Sequence, residues 1–303
     1  MTGEATYADW IAVDWGTTNL RAWAMRGKAP VAEAVSDRGM GTLDRAGFEP
    51  ALLDLIEPWL GQSRMLVVAC GMVGSRQGWV EAPYAAVPAR PLGADMARAA
   101  VNDPRLDVRV IPGLKQPAPA DVIRGEETQI AGYLAAHPGF DGVLCLPGTH
   151  SKWAQISAGE VVSFRTFMTG ELFSLLSKHS VLRLTVSEGW DEAAFAEAVA
   201  EAMSRPEALA ARLFTLRAES LIAGLDGKAA FSRLSGLLIG AELAAARPYW
   251  LGQSVALIGT ERLTDAYAAA LSAQGLDPVQ VDATDATLAG LAAARTLILE
   301  TTP

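Results

Sequence analysis

Two segments built on one plan constrain this chain most. Asp14-Trp15-Gly16-Thr17-Thr18-Asn19-Leu20-Arg21 and Leu146-Pro147-Gly148-Thr149-His150-Ser151-Lys152-Trp153 each join two apolar runs through glycine and small hydroxyl residues. Short apolar runs bounded by such residues read as buried strands, and the connections as tight hairpins. A hairpin of this kind can wrap backbone N–H groups and hydroxyls around a phosphate, and a carboxylate at the strand end, Asp14, can hold Mg²⁺ through water. One such turn also fits ordinary turn chemistry, in which Asp and Thr satisfy their own backbone. Two of them can clamp one polyphosphate. His150 fits a solvated or capping role as well as a catalytic one.

The rest of the chain repeats the plan. Strands are expected at residues 10–15, 20–25 and 31–36 as an antiparallel meander, followed by a helix at 48–60 and a strand at 65–69. A Gly/Pro-rich loop region, 71–93, precedes a helix near 94–101 and a strand at 107–111, and the first lobe should end soon after Gly113. A helix opens at Arg124-Gly125-Glu126-Glu127-Thr128-Gln129 and runs to Ala136. The second meander covers 143–146, 152–156 and 161–167; residues 170–247 read as helical, punctuated by Pro206. A strand at 255–258, a helix to Gln274, a strand at 279–281 and a helix from Thr284 restore β/α alternation. The pattern predicts an α/β chain of two related lobes with a central cleft.

Composition removes several function classes. Half of the 303 residues are hydrophobic and 19% are charged, so a sizeable core can form. The net charge of −9 comes with no basic stripe, which argues against nucleic acid. No run approaches the ~18 apolar residues of a membrane span, and residues 1–7 are polar and acidic, without the pattern of a secretory signal. Cys70 and Cys145 each end an apolar run and read as buried small hydrophobes in a reducing cytoplasm. The eight tryptophans are scattered and read as packing.

Three further motifs carry chemistry. Glu126 and Glu127 stand in a first helical turn, where the dipole favours acids and capping alone would explain them. Cys70-Gly71-Met72-Val73-Gly74-Ser75-Arg76-Gln77-Gly78-Trp79 leaves the carboxyl end of a buried strand, where open α/β sheets bind ligands and glycines admit a polar substrate to the backbone. Gly259-Thr260 follows another strand and opens a helix, a place for adenosine or phosphate.

Taken in order, these motifs resemble the 2-dehydro-3-deoxygalactonokinase family over essentially the whole chain, through residues 11–23, 71–88, 111–114, 124–132, 146–153, 164–172 and 235–243. The first hairpin alone is similar to the wider superfamily of sugar kinases, actin and heat-shock ATPases. The resemblance implies two ribonuclease-H-like (actin-like ATPase) lobes, 1–124 and 125–303, the last helix returning to the first. It implies ATP with Mg²⁺, and phosphorylation of 2-dehydro-3-deoxy-D-galactonate on its terminal hydroxyl to the 6-phosphate in galactonate catabolism. Asp14, Gly16, Thr17, Thr18 and Asn19 match the first phosphate motif; Gly148, Thr149 and His150, with Lys152 beside them, match the second; Gly259 and Thr260 fall at the adenosine motif. Gly125-Glu126 occupies the place of the Gly-Asp that carries the catalytic base in glycerol and xylulose kinases, with Glu127 as the competing acid. Gly71, Met72, Gly74, Ser75, Arg76 and Trp79 fall in the substrate loop, with Arg21 near the first hairpin.

A sugar acid brings a carboxylate, for which a guanidinium offers a bidentate fork; Arg76, Arg124 and Arg165 are the candidates. A kinase of another small sugar acid is the competing reading. A non-catalytic sugar sensor of the same fold is another, although a strand starting at Trp10 leaves little room for a DNA-binding extension. The expected protein is cytoplasmic, free of nucleic acid and membrane partners, with room for a homodimer.

Overall fold

A computed structural model describes residues 8–301; the reading of residues 1–7 lies outside the described residues. The chain runs β1 (Trp10–Trp15), β2 (Leu20–Arg26), β3 (Ala29–Ser36), α1 (Phe48–Ile56), β4 (Met65–Gly71), β5 (Tyr84–Ala86), β6 (Ala97–Arg98), β7 (Leu106–Val110), β8 (Gly113–Gln116), β9 (Asp121–Ile123) and α2 (Glu126–Ala136). It continues as β10 (Gly142–Leu146), β11 (Ser151–Ser157), β12 (Glu160–Phe167), α3 (Thr169–His179), α4 (Glu192–Ser204), α5 (Leu209–Ile222), α6 (Gly227–Ala245) and α7 (Arg247–Trp250). β13 (Val255–Gly259), α8 (Glu261–Ser272), β14 (Val279–Asp282) and α9 (Ala283–Thr301) complete it.

Contacts divide the chain into two compact units, one of Met1–Phe140, Ser157–Ser163 and Ala283–Pro303, the other of Asp141–Ile156 and Phe164–Asp282. The sequence reading put the division after residue 124; here α2 stays with the first unit because it packs along α9. Among the described residues the strands form a six-stranded sheet of order β3-β2-β1-β4-β7-β6, a five-stranded sheet of order β12-β11-β10-β13-β14, and a small sheet of order β5-β8-β9. In the first, β1 is antiparallel to β2 and parallel to β4; in the second, β10 is antiparallel to β11 and parallel to β13. The two sheets thus repeat one topology, as the paired hairpins predict. β1 and β10 are central strands whose residues are buried almost throughout, which is why they read as continuous apolar runs.

Two expectations are corrected. Residues 94–101 contain β6, not a helix: Ala97 and Arg98 pair with Val110 and Arg109 of β7, and Arg98 Nε lies 3.0 Å from Asp107. An available sheet edge overrides the helical preference of an alanine-rich stretch. The helix from Phe48 ends at Ile56 and tightens into a 3-10 turn at Glu57–Trp59, where Pro58 removes a backbone donor. The small sheet was not foreseen. No helix among the described residues is long and apolar enough to cross a membrane.

The seam between α2 and α9 fixes the start of α2. A methyl on Gly290 would come within 1.9 Å of the Thr128 carbonyl oxygen, and one on Gly132 within 1.9 Å of the Ala286 carbonyl oxygen. The backbones therefore meet directly at the turn that carries Glu126 and Glu127. Overpacking at such a contact costs about 1–3 kcal/mol, and the upper end applies where the obstacle is backbone. Gly290→Val is expected to lower stability by that amount in urea denaturation; a loss below about 1 kcal/mol would mean that the helices can separate freely there.

Candidate active site

The first unit gathers its acids at one sheet edge. Asp14 lies opposite Cys70, and Trp15 opposite Gly71, so β1 and β4 end together. Asp14 is the partly exposed member of β1; Arg21 Nη2 lies 3.4 Å from its Oδ2 and the Cys70 thiol 3.9 Å from its Oδ1. Both contacts are long and leave acceptor capacity on the carboxylate. Burial raises the Asp14 pKa above the ordinary range against the opposing charge of Arg21, and the negative charge of Glu126 adds to the rise. Burial also pushes the Cys70 thiol well up, helped by the charges of Asp14 and Glu127, so it stays a protonated small hydrophobe as expected.

Gly125 brings the second acid to this edge. Its φ of 108° lets the chain turn sharply from β9 into α2, and a methyl there would sit 3.4 Å from the Gly71 Cα. Gly71, at φ 91°, also needs the freedom of glycine, since a methyl would lie 2.8 Å from the Trp15 carbonyl oxygen. Glu127 is fully buried; it accepts the Gly125 N–H at 2.7 Å and the Thr128 hydroxyl at 3.0 Å. Burial, and then the charge of Glu126, push its pKa up to about 7. Glu126 is half-buried, and its Oε2 receives the Arg124 N–H at 3.3 Å. Burial separates two acids that sequence could not tell apart: Glu127 closes the turn on itself, while Glu126 stays within the electrostatic reach of Asp14.

The loop after β4 is braced internally. The Ser75 N–H donates to the Met72 carbonyl at 2.9 Å, the Gly78 N–H to Ser75 at 2.9 Å, and the Ala82 N–H to Gly74 at 3.0 Å. Arg124 is clamped beneath it, donating Nη2–H to the Ala82 carbonyl at 2.8 Å and Nε–H to the Tyr84 hydroxyl at 3.1 Å, with its guanidinium 4.2 Å from the Tyr84 ring centre. Arg124 Nη1 and Ser75 Oγ are buried without a hydrogen-bond partner, and both border Gly74. The other predicted contacts have varied surroundings. Arg21 is the partner of Asp14 and donates to the Thr284 hydroxyl at 3.3 Å. Arg76 is 82% exposed beside Glu81. Trp79 packs into the core, 6.1 Å from Trp15 and 6.2 Å from Phe48 between ring centres. Arg165 is exposed on β12 in the second unit.

Thr17, Thr18 and Asn19 are exposed at the first hairpin, and the Gly16 N–H closes it on the Asn19 carbonyl at 2.9 Å. Sequence reasoning missed its support. Met40 N–H donates to Gly16 at 3.0 Å and Gly41 N–H to Thr17 at 2.9 Å, while a methyl on Gly39 would lie 2.2 Å from the Thr18 backbone. Two glycines flanking Met40 were the only signal. No cluster of three His, Cys, Asp or Glu side chains suited to a metal occurs among the described residues. A lone strand-end carboxylate with spare acceptor capacity suits a cation that keeps most of its water.

The second unit carries the other hairpin. Thr149 and His150 are exposed, His150 Nε2 pairs with Glu171 at 2.6 Å, and the buried Lys152 donates Nζ–H back to the His150 carbonyl at 2.8 Å. Gly259 ends β13 beside Pro147, and Thr260 is the N-cap of α8. Next to these lies a cavity of about 660 Å³ lined by Gly148, Thr169, Gly170, Ser235, Arg262 and Tyr267 among others. Its walls on α3, α6 and α8 were not foreseen.

The raised Glu127 pKa has a sign that can be tested. The group is harder to ionise in the folded than in the unfolded chain, so it favours folding fully below its ordinary value of 4.5 and loses that contribution as pH rises to about 7. Between pH 5 and 8 the wild type should lose about 2 kcal/mol through this residue, and Glu127→Gln should not. Denaturant midpoints at the two pH values check this; parallel losses in both proteins would show that Glu127 ionises normally.

Comparison with known proteins gives a concordant result. Residues 14–294 match the family model described as 2-keto-3-deoxy-galactonokinase. A Rhizobium meliloti (strain 1021) protein named "Probable 2-dehydro-3-deoxygalactonokinase DgoK1" is 39% identical over 303 residues, covering 97% of this chain and 98% of its own. The Escherichia coli (strain K12) 2-dehydro-3-deoxygalactonokinase is 36% identical, covering 94% and 96%. A Sinorhizobium meliloti crystal structure described as a candidate 2-dehydro-3-deoxygalactonokinase superposes with a TM-score of 0.87 at 38% identity, covering 95% of this chain and 99% of that one. The chain, with its duplicated actin-like ATPase topology, belongs to the 2-keto-3-deoxy-galactonokinase family.

Proposed function

We propose that this chain transfers the γ-phosphoryl group of ATP to the terminal hydroxyl of 2-dehydro-3-deoxy-D-galactonate, giving the 6-phosphate in galactonate catabolism. The observation that carries the reading is that Asp14 ends β1 beside the end of β4 and that the Gly125 turn, which carries Glu126, is packed against Gly71 at that same strand end, in a chain of this kinase family. Phosphoryl transfer needs positioned groups and charge stabilisation more than covalent help from the protein. Glu126 accepts the proton of the attacking substrate hydroxyl; the hydroxyl oxygen bonds to the γ-phosphorus as the bond from that phosphorus to the β-phosphate oxygen breaks, and ADP leaves. Glu127 holds the turn that presents Glu126. Asp14, whose carboxylate keeps spare acceptor capacity, would hold Mg²⁺, and the ion would offset phosphate charge.

The exposed residues 17–19 and 149–150 bind phosphate oxygens, and the cavity lined by Gly148 and Arg262 takes the adenosine. Arg124 Nη1 and Ser75 Oγ, the unpartnered buried polar atoms near Gly74, bind the carboxylate end of the sugar acid. An unpaired buried donor is costly, and a ligand oxygen would relieve it. Two buried, unpaired cysteines support a reducing cytoplasm as the site of action.

The test is ADP release with Mg-ATP and four acceptors: 2-dehydro-3-deoxygalactonate, its gluconate epimer, galactonate and glycerate. The first should be preferred by at least about tenfold in kcat/KM, which corresponds to about 1.4 kcal/mol of discrimination. Preference for another acid would keep the kinase and replace the acceptor; no ADP with any of them would end the kinase reading. Ser75→Ala, which removes no hydrogen bond within the protein, should leave the melting temperature unchanged and raise KM for the sugar acid about fivefold. An unchanged KM would remove Ser75 from the substrate site.

A further inference from the structure

In the second unit a carboxylic acid is buried where the mechanism above has no use for one. Glu242 is 3% exposed and lies on α6 among Leu238, Ile239 and Leu243. An acid in such surroundings persists only if its oxygens are satisfied. Trp153 Nε1–H on β11 donates to Oε1 at 2.8 Å, the Tyr267 hydroxyl on α8 donates to Oε2 at 2.8 Å, and the Thr169 hydroxyl at the start of α3 donates to the same Oε2 at close range. The Ser151 hydroxyl, immediately after the second hairpin, lies 2.9 Å from that of Tyr267. Three donors on one carboxyl group tie β11, α3 and α8 to α6.

These elements bound the phosphate hairpin and the cavity. Thr169 and Tyr267 line the cavity. The residues after Thr169 hold the hairpin: a methyl on Gly170 would meet the Gly148 carbonyl oxygen at 2.3 Å, the Glu171 N–H donates to the Thr149 carbonyl at 2.9 Å, and the Glu171 carboxylate pairs with His150. The start of α3 therefore sets both a cavity wall and the shape of the turn, and Thr169 is where Glu242 holds it. We infer that Glu242 is a positioning residue for the nucleotide, acting through Thr169 and Tyr267 to keep the cavity and the second phosphate hairpin in register.

This rests on the placement of the nucleotide in the second unit. A purely structural acid would affect folding stability and leave nucleotide affinity alone; a positioning acid shifts affinity in a protein that is still folded. Thr169→Val is the cleaner probe because it keeps the side-chain shape and removes the donor, and Thr169→Ser restores the donor.

The experiment is calorimetric titration of ADP into wild type, Glu242→Gln, Thr169→Val, Thr169→Ser and Ser235→Phe, with melting temperatures taken alongside. Ser235→Phe fills the cavity from α6 and reports on the nucleotide placement itself. The inference expects Ser235→Phe to abolish binding and Glu242→Gln and Thr169→Val each to weaken ADP about tenfold, as loss of a hydrogen bond to a charged group implies. Thr169→Ser should recover most of the affinity. Unchanged ADP affinity in Ser235→Phe would overturn the nucleotide placement. Loss of binding there with wild-type affinity in Thr169→Val would overturn the role of Glu242, whether or not Glu242→Gln folds.

Discussion

The first unit depends on a buried carboxylic acid held in a turn that glycine makes possible. Glu127 lies inside the protein beneath the start of α2, with the Gly125 N–H and the Thr128 hydroxyl as its donors. That arrangement needs a positive φ at Gly125, and the close approach of Gly125 to Gly71 brings the turn against the end of β4. Contact between the α2 and α9 backbones at Thr128 and Gly290 holds it from the other side. Glu126, between Gly125 and Glu127, is thereby held at the strand end where β4 meets β1. Burying an acid costs free energy, and the upward shift of the Glu127 pKa follows from that cost. The cost is borne where the site needs rigidity.

The second unit solves a similar problem with other residues. Its hairpin follows a central strand as the first does, but the buried acid below it, Glu242, comes from a helix late in the chain. In each unit a carboxylate out of contact with water organises the backbone that is expected to touch ligand. Buried polar groups with every partner in place rigidify their surroundings, and partial satisfaction is costly. The residues that fix such sites are therefore seldom the ones that meet substrate.

Sequence reading recovered what is local and periodic. Both hairpins, the central strands and the start of α2 were legible, because glycine and small hydroxyl residues interrupt apolar runs whose period settles the element. Residues 94–101 were misread because alanine favours a helix unless a strand edge is available, and β7 supplies that edge only in the folded chain. The support of the first hairpin by residues 39–41 is a backbone contact between segments, which no side-chain pattern announces. Glu126 and Glu127 are identical residues side by side, and burial alone separates them. Glu242 was not singled out from sequence, because its partners Trp153, Thr169 and Tyr267 come from three other elements. Among the arginines, sequence offered three candidates that no local pattern separates; in the fold Arg124 has a buried, unpartnered nitrogen and Arg76 is exposed, differences of environment that only tertiary packing creates.

The division of labour between the adjacent acids is the central claim, and single-turnover phosphoryl transfer tests it most directly. With saturating Mg-ATP and sugar acid, Glu126→Gln should slow transfer about a thousandfold, as expected for loss of a general base, while Glu127→Gln stays within about tenfold of wild type. The reverse order, with Glu127→Gln the more damaged enzyme in its folded state, would contradict the account and make the buried acid the base.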